Sequence, residues 1–247
     1  MIQILSGTVF ILGAMFASLI GVIAERIHTG QSFTKSRSRC DMCKRTLGPL
    51  DLVPIFSWLF ALGKCRTCKS SIPVRLFLLE VVIAFVFLLT YLKLGVSLEL
   101  PLVLVFICIL TFVVLYDLRH TLVPPMASMS LVVLSLLHAL LFSPDVHTLG
   151  EALFGGGLIG LGFLLLHVCS GGRAMGLGDA PIAFALAVLV TPYAFSGVLF
   201  SFWIGALIGL VVLFARRGGP KMGIEIPFVP FLAVGFLLAY FIQWTIL

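Results

Sequence analysis

Two aspartates, Asp117 and Asp179, are the strongest candidates for chemistry in this sequence. Asp117 ends one apolar run and Asp179 starts another, and an ionisable side chain at such a place is costly and therefore suggests a function. Two carboxyl groups at close range do not ionise together easily, so one stays protonated while the other is charged. The charged group can take a proton from water, and the neutral group can donate to a carbonyl oxygen. The sequence thus predicts an aspartyl hydrolase, with two helix caps or interface charges as the alternative.

Two glycines precede the second aspartate in the sequence Gly176-Leu177-Gly178-Asp179. Glycine lets the backbone approach closely, either to a partner helix or to an extended substrate, so we predict a substrate-binding role for both glycines. A dinucleotide-binding loop would need a third glycine after a strand, and the sequence has none there. Two histidines inside apolar runs, His138 and His167, are expected to be packed or hydrogen-bonded.

Four cysteines form a second candidate site. The pairs Cys40–Cys43 and Cys65–Cys68 each have two intervening residues, and 21 residues separate the pairs. This spacing is typical of a zinc ribbon, in which four thiolates hold a structural Zn²⁺. Two disulfides or idle thiols are the alternative, which a reducing cytoplasmic side disfavours.

The elements that must position these residues are membrane helices. The chain is 61% hydrophobic and only 11% charged, which is too few charges to coat a globular surface. We predict an all-α integral membrane protein with about eight transmembrane helices. Their approximate ranges are 2–24, 76–95, 100–117, 122–142, 150–170, 180–191, 194–214 and 228–246. The sixth range is short and contains Pro181, so we expect a tilted or broken helix that lines a cavity.

The basic residues orient these helices. With eight crossings, 15 of the 16 lysines and arginines fall in loops on one side, and only Lys93 falls on the other. Short basic loops stay cytoplasmic, so we predict that both termini face outside and that both aspartates lie near the cytoplasmic face. This asymmetry explains the net charge of +6 without nucleic acid as a partner. The first apolar run lacks signal-peptide features and is expected to be a retained helix.

The predicted organisation has three parts. Residues 1–24 form the first transmembrane helix, residues 25–75 a cytoplasmic zinc-binding loop domain, and residues 76–247 a transmembrane peptidase domain of about seven helices. Within the loop domain, residues 47–60 are too apolar for a free loop. They are expected either to lie in the membrane interface or to form the small core of the zinc module. Glu80 could pair with Arg75, for which an interface anchor is an equal alternative.

The combined motifs resemble the type IV prepilin peptidase family over nearly the whole chain. The cysteine pairs continue into Asp51-Leu52-Val53-Pro54-Ile55-Phe56-Ser57, which is similar to the family's D-x-x-P-x-x-S stretch. The first aspartate opens Asp117-Leu118-Arg119-His120-Thr121-Leu122-Val123-Pro124, and the second ends the G-x-G-D sequence. Ile226-Pro227-Phe228-Val229-Pro230-Phe231 resembles the family's last-helix signature. The departures from the family pattern, such as Ala180-Pro181 after the second aspartate, resemble a divergent member, such as the short competence-type form.

The resemblance implies two activities at the bacterial cytoplasmic membrane. The first removes a short basic leader from prepilin-like pilin, pseudopilin or competence proteins, with Asp117 and Asp179 as the catalytic residues. The second methylates the new N-terminal residue with S-adenosylmethionine, for which no binding residues are predicted. The prepilin-like substrates and the lipid bilayer are the expected partners. The rival interpretations are a small ion or proton-coupled transporter that uses the intramembrane carboxylates, and a zinc-anchored assembly scaffold without activity.

Overall fold

The computed structural model of the chain describes residues 2–27, 38–40, 42–173, 175–215 and 227–244. Within these ranges the protein is helical, and two isolated antiparallel bridges are its only β-type pairing. The helices are α1 (Ile2–Arg26), α2 (Phe56–Phe60), α3 (Val74–Leu94), α4 (Glu99–His120), α5 (Pro125–Phe142), α6 (Val146–Ser170), α7 (Asp179–Val190), α8 (Ala194–Ala215) and α9 (Val229–Ile242). The predicted all-α fold is thereby confirmed.

Six of these helices are long and apolar enough to cross a membrane, namely α1, α3, α4, α5, α6 and α8. The other two apolar helices, α7 and α9, have 12 and 14 residues. At a rise of about 1.5 Å per residue they cover about 18 and 21 Å, which is less than the roughly 30 Å of hydrocarbon in a bilayer. The chain is therefore a multi-pass membrane protein with six candidate spans, and eight crossings stay a prediction.

The chain divides into two compact units, Met1–Leu104 and Val105–Leu247. The first compact unit thus contains both α1 and α3. The domain boundaries predicted from the sequence, at 24–25 and 75–76, instead separate these two helices. In the first unit α1 packs closely on α3: a Cβ atom at Gly13 would lie 2.8 Å from the Cβ of Phe87. A larger residue at position 13 would separate the two helices that carry the loop.

Helix α7 is the centre of the second unit, where it packs against α5, α6, α8 and α9. Ten of its 12 residues are buried, several of them alanines. A Cβ atom at Gly156 of α6 would lie 2.5 Å from a methyl group of Val188, so the small residues allow this close approach. Helix α7 is continuous, so the expected break in this segment is wrong, whereas a tilt stays a prediction. Pro181 lies in the first turn of α7, where its missing N–H removes no helical hydrogen bond.

Residues 47–60 form a short 3₁₀ turn, Pro49–Asp51, and helix α2, and none of the residues of either is buried. Phe56 and Phe60 are exposed, whereas Trp58 stacks on Phe77 of α3 with ring centroids 4.6 Å apart. A module core would bury these apolar side chains. The structure therefore favours the membrane-interface interpretation of this segment, with Trp58 as its anchor to α3.

Candidate active site

Asp117 lies near the end of α4 and is only 5% exposed. Its Oδ2 accepts a hydrogen bond of 3.2 Å from the backbone N–H of Val229, the first residue of α9. The first N–H groups of a helix have no partner within the helix, and Pro230 has no N–H at all. Asp117 therefore satisfies a buried donor at the positive end of α9.

Asp179 is the first residue of α7 and is 6% exposed. Its Oδ2 accepts a hydrogen bond of 3.1 Å from the backbone N–H of Gly176. In return, the backbone N–H of Asp179 donates to the carbonyl oxygen of Gly176 at 3.2 Å. These two bonds close the turn that precedes α7 and fix the carboxyl group at the start of the helix.

The structure brings the two aspartates into one buried region of the second unit. Their carboxyl groups lie within range of electrostatic interaction with each other. The segments that carry them also touch, because Gly178 lies against Val123 in the connection between α4 and α5. Asp117 thus accepts an N–H from the start of α9 and Asp179 one from the turn before α7, and the two buried carboxyl groups interact electrostatically.

The two glycines have different surroundings. A Cβ atom at Gly178 would lie 2.6 Å from the Cβ of Val123, so no side chain fits there. At Gly176 the nearest atom would be Oδ2 of Asp179, at an ordinary contact distance of 3.5 Å. The glycines were expected to allow a close approach either to another segment of the chain or to a substrate. At Gly178 the contact with Val123 is of the first kind. Gly176 contributes its N–H to Asp179, and a role of either glycine in substrate binding stays a prediction.

Two partners of the aspartates were not predicted from the sequence. The N–H of Val229 is a backbone donor that no residue type reveals, although Val229 lies within the last-helix motif of the sequence. The second partner is the N–H of Gly176, which binds Asp179. The carbonyl oxygen of the same peptide unit, that of Met175, lies 2.8 Å from Nδ1 of His167. His167 was expected only to be packed or hydrogen-bonded, and its ring lies within electrostatic range of Asp179.

The four cysteines Cys40, Cys43, Cys65 and Cys68 meet in the first unit. Their sulfur atoms all lie within 4.8 Å of one another, and the Sγ atoms of Cys40 and Cys68 are 3.7 Å apart. A tetrahedral Zn²⁺ holds its sulfurs at about 2.3 Å, which places them roughly 3.8 Å from one another. All six cysteines of the chain are free thiols, so the disulfide alternative is not observed. The donor set and spacing fit one structural Zn²⁺.

The two cysteine pairs lie on turns of the same design. The N–H of Lys44 donates to the carbonyl oxygen of Cys40, and the N–H of Lys69 donates likewise to Cys65. Both lysines have positive φ, 56° and 58° respectively, so the chain reverses at the same point after each pair. In the first turn, the backbone N–H groups of Cys43 and then Met42 lower the pKa of Cys40 to about 6. A lower pKa favours the thiolate form that binds a metal.

Glu80 does not form the ion pair with Arg75 that was considered from the sequence. No salt bridge joins the two residues in the described part of the chain, and Oε2 of Glu80 instead accepts a bond of 2.7 Å from the N–H of Ile55. Ile55 precedes α2 and has a φ of 63°, which is unfavourable for a β-branched residue. Glu80 thus fastens the start of α2 to α3.

Comparisons with known proteins find one family model and several relatives. The family described as "Bacterial Peptidase A24 N-terminal domain" matches residues 11–94. A prepilin leader peptidase/N-methyltransferase of Bacillus subtilis is 34% identical over 94% of this chain and 92% of its own length. Proteins of the same name from Myxococcus xanthus and Dichelobacter nodosus are each 30% identical, over 86% and 82% of this chain and 64% and 70% of their lengths. No solved structure matches significantly.

The close contact at Gly178 gives a prediction. Gly178→Ala should lower the free energy of unfolding by about 1–3 kcal/mol, because the new methyl group must displace Val123 or the start of α7. Gly176→Ala is the matched control, since a Cβ atom there meets only ordinary contacts. Thermal unfolding of the detergent-solubilised protein measures both variants. Equal stability of the Gly178 variant and the parent protein would contradict the contact.

Proposed function

Because this chain belongs to the prepilin leader peptidase/N-methyltransferase family, we propose that it is a membrane aspartyl endopeptidase that removes the leader of prepilin-like proteins. The observation that carries this proposal is the pair of buried, electrostatically interacting carboxyl groups of Asp117 and Asp179. Family membership also favours a peptidase over a transporter or an inactive scaffold. The organism's own substrates would be pilin-like or competence proteins with a short basic leader.

The proposed reaction is general acid–base hydrolysis without a covalent intermediate. One carboxyl group is charged and takes a proton from a water molecule, which attacks the scissile carbonyl carbon. The other is protonated and donates to the carbonyl oxygen, which gives a gem-diol intermediate. The pair then returns a proton to the amide nitrogen and takes one from a hydroxyl group of the intermediate, so that the C–N bond breaks and a carboxylic acid and an amine leave. The proton belongs to the pair rather than to a fixed residue. The backbone N–H groups of Val229 and Gly176 each hold one carboxyl oxygen, which leaves the second oxygen of each group for water and substrate.

The proposed topology places this reaction at the cytoplasmic face. Basic residues flank the spans on the side that carries Asp117 and Asp179, and such loops stay in the cytoplasm. A basic leader would therefore reach the aspartates from the cytoplasm, while the hydrophobic helix of the substrate stays in the lipid. The exposed apolar surfaces of the spans offer that helix an environment like its own.

The aspartates can be tested by isosteric substitution. Asp117→Asn and Asp179→Asn should each lower the rate of leader removal by about a thousandfold or more, because each removes one member of the acid–base pair. Asp145→Asn is the matched control, since Asp145 is an exposed helix N-cap and asparagine caps equally well. Cleavage of a co-reconstituted prepilin, followed by mass spectrometry, measures the rate. Processing at the parental rate by either variant would overturn the mechanism.

We assign the four-cysteine cluster to one structural Zn²⁺ that holds the two turns together. A loop of this size has too small a core to be stable without such a staple. Asp51 also connects the two turns, because it pairs with Arg45, which follows the first cysteine pair, and with Arg66, which lies within the second. The metal would therefore order the surface of the first unit rather than take part in hydrolysis.

The zinc content of the purified full-length chain tests this assignment. The parent protein should hold about one Zn²⁺ per chain, as expected for one tetrahedral four-thiolate site, and Cys65→Ser should lose it. Cys108→Ser is the control, because Cys108 lies in α4 and is not a member of the cluster. Elemental analysis after dialysis measures the metal. Equal zinc in the Cys65 variant and the parent protein would rule out a four-cysteine site.

The names of the relatives extend the proposal to N-methylation, for which S-adenosylmethionine supplies an electrophilic methyl group. The first unit contains a cavity of about 810 Å³, within the usual range of ligand pockets. Its lining includes Glu25, Arg26, Arg45, Trp58 and Glu80. Carboxylates suit the sulfonium and ribose, arginines the ligand's carboxylate, and an indole the adenine. Nε of Arg45 is also buried without a hydrogen-bond partner among the described residues. These residues fit the methyl donor.

Binding of S-adenosylmethionine tests this cavity without any turnover. Trp58→Ala should weaken binding by up to about tenfold, which corresponds to the loss of one aromatic stacking contact. Trp203→Ala is the control, since Trp203 is exposed on α8 and does not line the cavity. Equilibrium dialysis with labelled ligand measures affinity, and zinc content shows that the loop is intact. Undiminished binding by an intact Trp58 variant would remove the cavity as the site.

A further inference from the structure

The end of α6 folds back over the ring of His167. Gly171 and Gly172 follow the helix with positive φ values of 60° and 76°. The N–H of Gly172 donates to the carbonyl oxygen of His167 at 2.9 Å, and a Cβ atom at Gly172 would lie 3.3 Å from Cε1 of the ring. The two glycines thus bring the chain from the end of α6 across the imidazole, towards the turn that carries Asp179.

The ring is hydrogen-bonded to that turn. Nδ1 of His167 lies 2.8 Å from the carbonyl oxygen of Met175. A carbonyl oxygen can only accept, so Nδ1 carries the hydrogen and donates. The carbonyl group of Met175 and the N–H of Gly176 belong to one planar peptide unit, whose two polar groups point in opposite directions. The N–H of that unit donates to Oδ2 of Asp179 at 3.1 Å.

One peptide unit therefore joins His167 to Asp179. A hydrogen bond at its carbonyl oxygen fixes the plane of the unit and so fixes where its N–H points. It also polarises the unit, which strengthens the bond that the N–H makes at the other end. The imidazole itself lies within electrostatic range of the Asp179 carboxyl group. The connection between α6 and α7 contains three glycines besides Gly176, so the backbone alone would hold this orientation poorly.

We propose that His167 is a positioning residue for peptide cleavage, which holds the Met175–Gly176 peptide unit so that its N–H orients the Asp179 carboxyl group. The inference rests on the proposed function, because it assigns His167 to the same site. His167 acts through the peptide unit and does not itself touch the reacting atoms. The histidine is needed for its Nδ1–H group, and not for its volume or its ability to titrate.

Three substitutions separate these roles. Asparagine places an N–H near the position of Nδ1, glutamine reaches the position of Nε2, and leucine keeps volume without a donor. Loss of one such bond should lower kcat about tenfold with little change in KM, so we expect this for His167→Leu and His167→Gln, and near-parental kcat for His167→Asn. His138→Leu is the matched control, because His138 lies on α5 and packs on Phe142. All variants are purified as full-length protein and compared by thermal unfolding.

A spectroscopic measurement tests the same bond without activity. The chain has only two Met–Gly peptide bonds, Met175–Gly176 and Met222–Gly223. Labelling with carbonyl-¹³C methionine and ¹⁵N glycine therefore gives two amide signals, which Met222→Leu assigns. The Gly176 amide proton should shift upfield in His167→Leu and return in His167→Asn, while the Gly223 signal stays constant as an internal reference.

The outcomes distinguish this inference from the proposed function. Parental kcat and an unmoved Gly176 signal in His167→Leu, together with loss of cleavage in Asp179→Asn, would overturn the role of His167 alone. Unimpaired cleavage in Asp179→Asn would overturn the proposed function first. Equal loss in the leucine and asparagine variants would show that the imidazole acts by volume or charge, and would also overturn the inference. Rescue by asparagine and not by glutamine supports it.

Discussion

Burial of two carboxyl groups that interact electrostatically is the constraint on which the proposed active site depends. A charged carboxylate without a partner is very costly inside a protein or a membrane, so each must be compensated locally. The protein uses backbone N–H groups at helix starts for this, one from α9 at Asp117 and one from the turn before α7 at Asp179. These donors carry no titratable proton, so they compensate charge and leave the pair free to share a proton, as the proposed mechanism requires. A lysine or arginine in their place would neutralise the pair and prevent the proposed acid–base exchange.

The position of these helix starts is set in turn by close packing of small residues. Gly178 touches Val123, and Gly156 touches Val188, so α7 approaches both the α4–α5 connection and α6 as nearly as a backbone can. Lipid offers little hydrophobic gain for packing helices together, so membrane proteins obtain it from such tight contacts. The site is thus assembled from segments distant in sequence by contacts that leave no room for adjustment.

Hydropathy and residue spacing were sufficient to predict the eight apolar helices, the cysteine cluster and the candidate carboxyl groups, but not the short helix α2 in the loop. Each of these signals is local: an apolar run must be helical in lipid, and a C-x-x-C pair already sits on one turn. The donors at Val229 and Gly176 could not be predicted, because every residue carries an N–H and only the tertiary fold decides where it points. The prediction of a break in α7 was wrong because Pro181 lies in the first turn, where proline is tolerated. The sequence alone did not show that the helix begins at Asp179. The possible ion pair between Arg75 and Glu80 does not form, because the carboxylate of Glu80 accepts the backbone N–H of Ile55 instead.

The length of α7 has a consequence for the depth at which the enzyme works. A helix in contact with lipid must match the hydrocarbon thickness or deform the bilayer around it. Helix α7 is surrounded by α5, α6, α8 and α9, so protein side chains and not acyl tails meet its surface. The length of α7 therefore does not have to match the thickness of the hydrocarbon layer. The depth at which its 12 residues begin and end is set by the surrounding helices. The long candidate spans match the membrane thickness, and the short inner helix α7 can place Asp179, and with it the proposed chemistry, at a depth that the bilayer does not dictate.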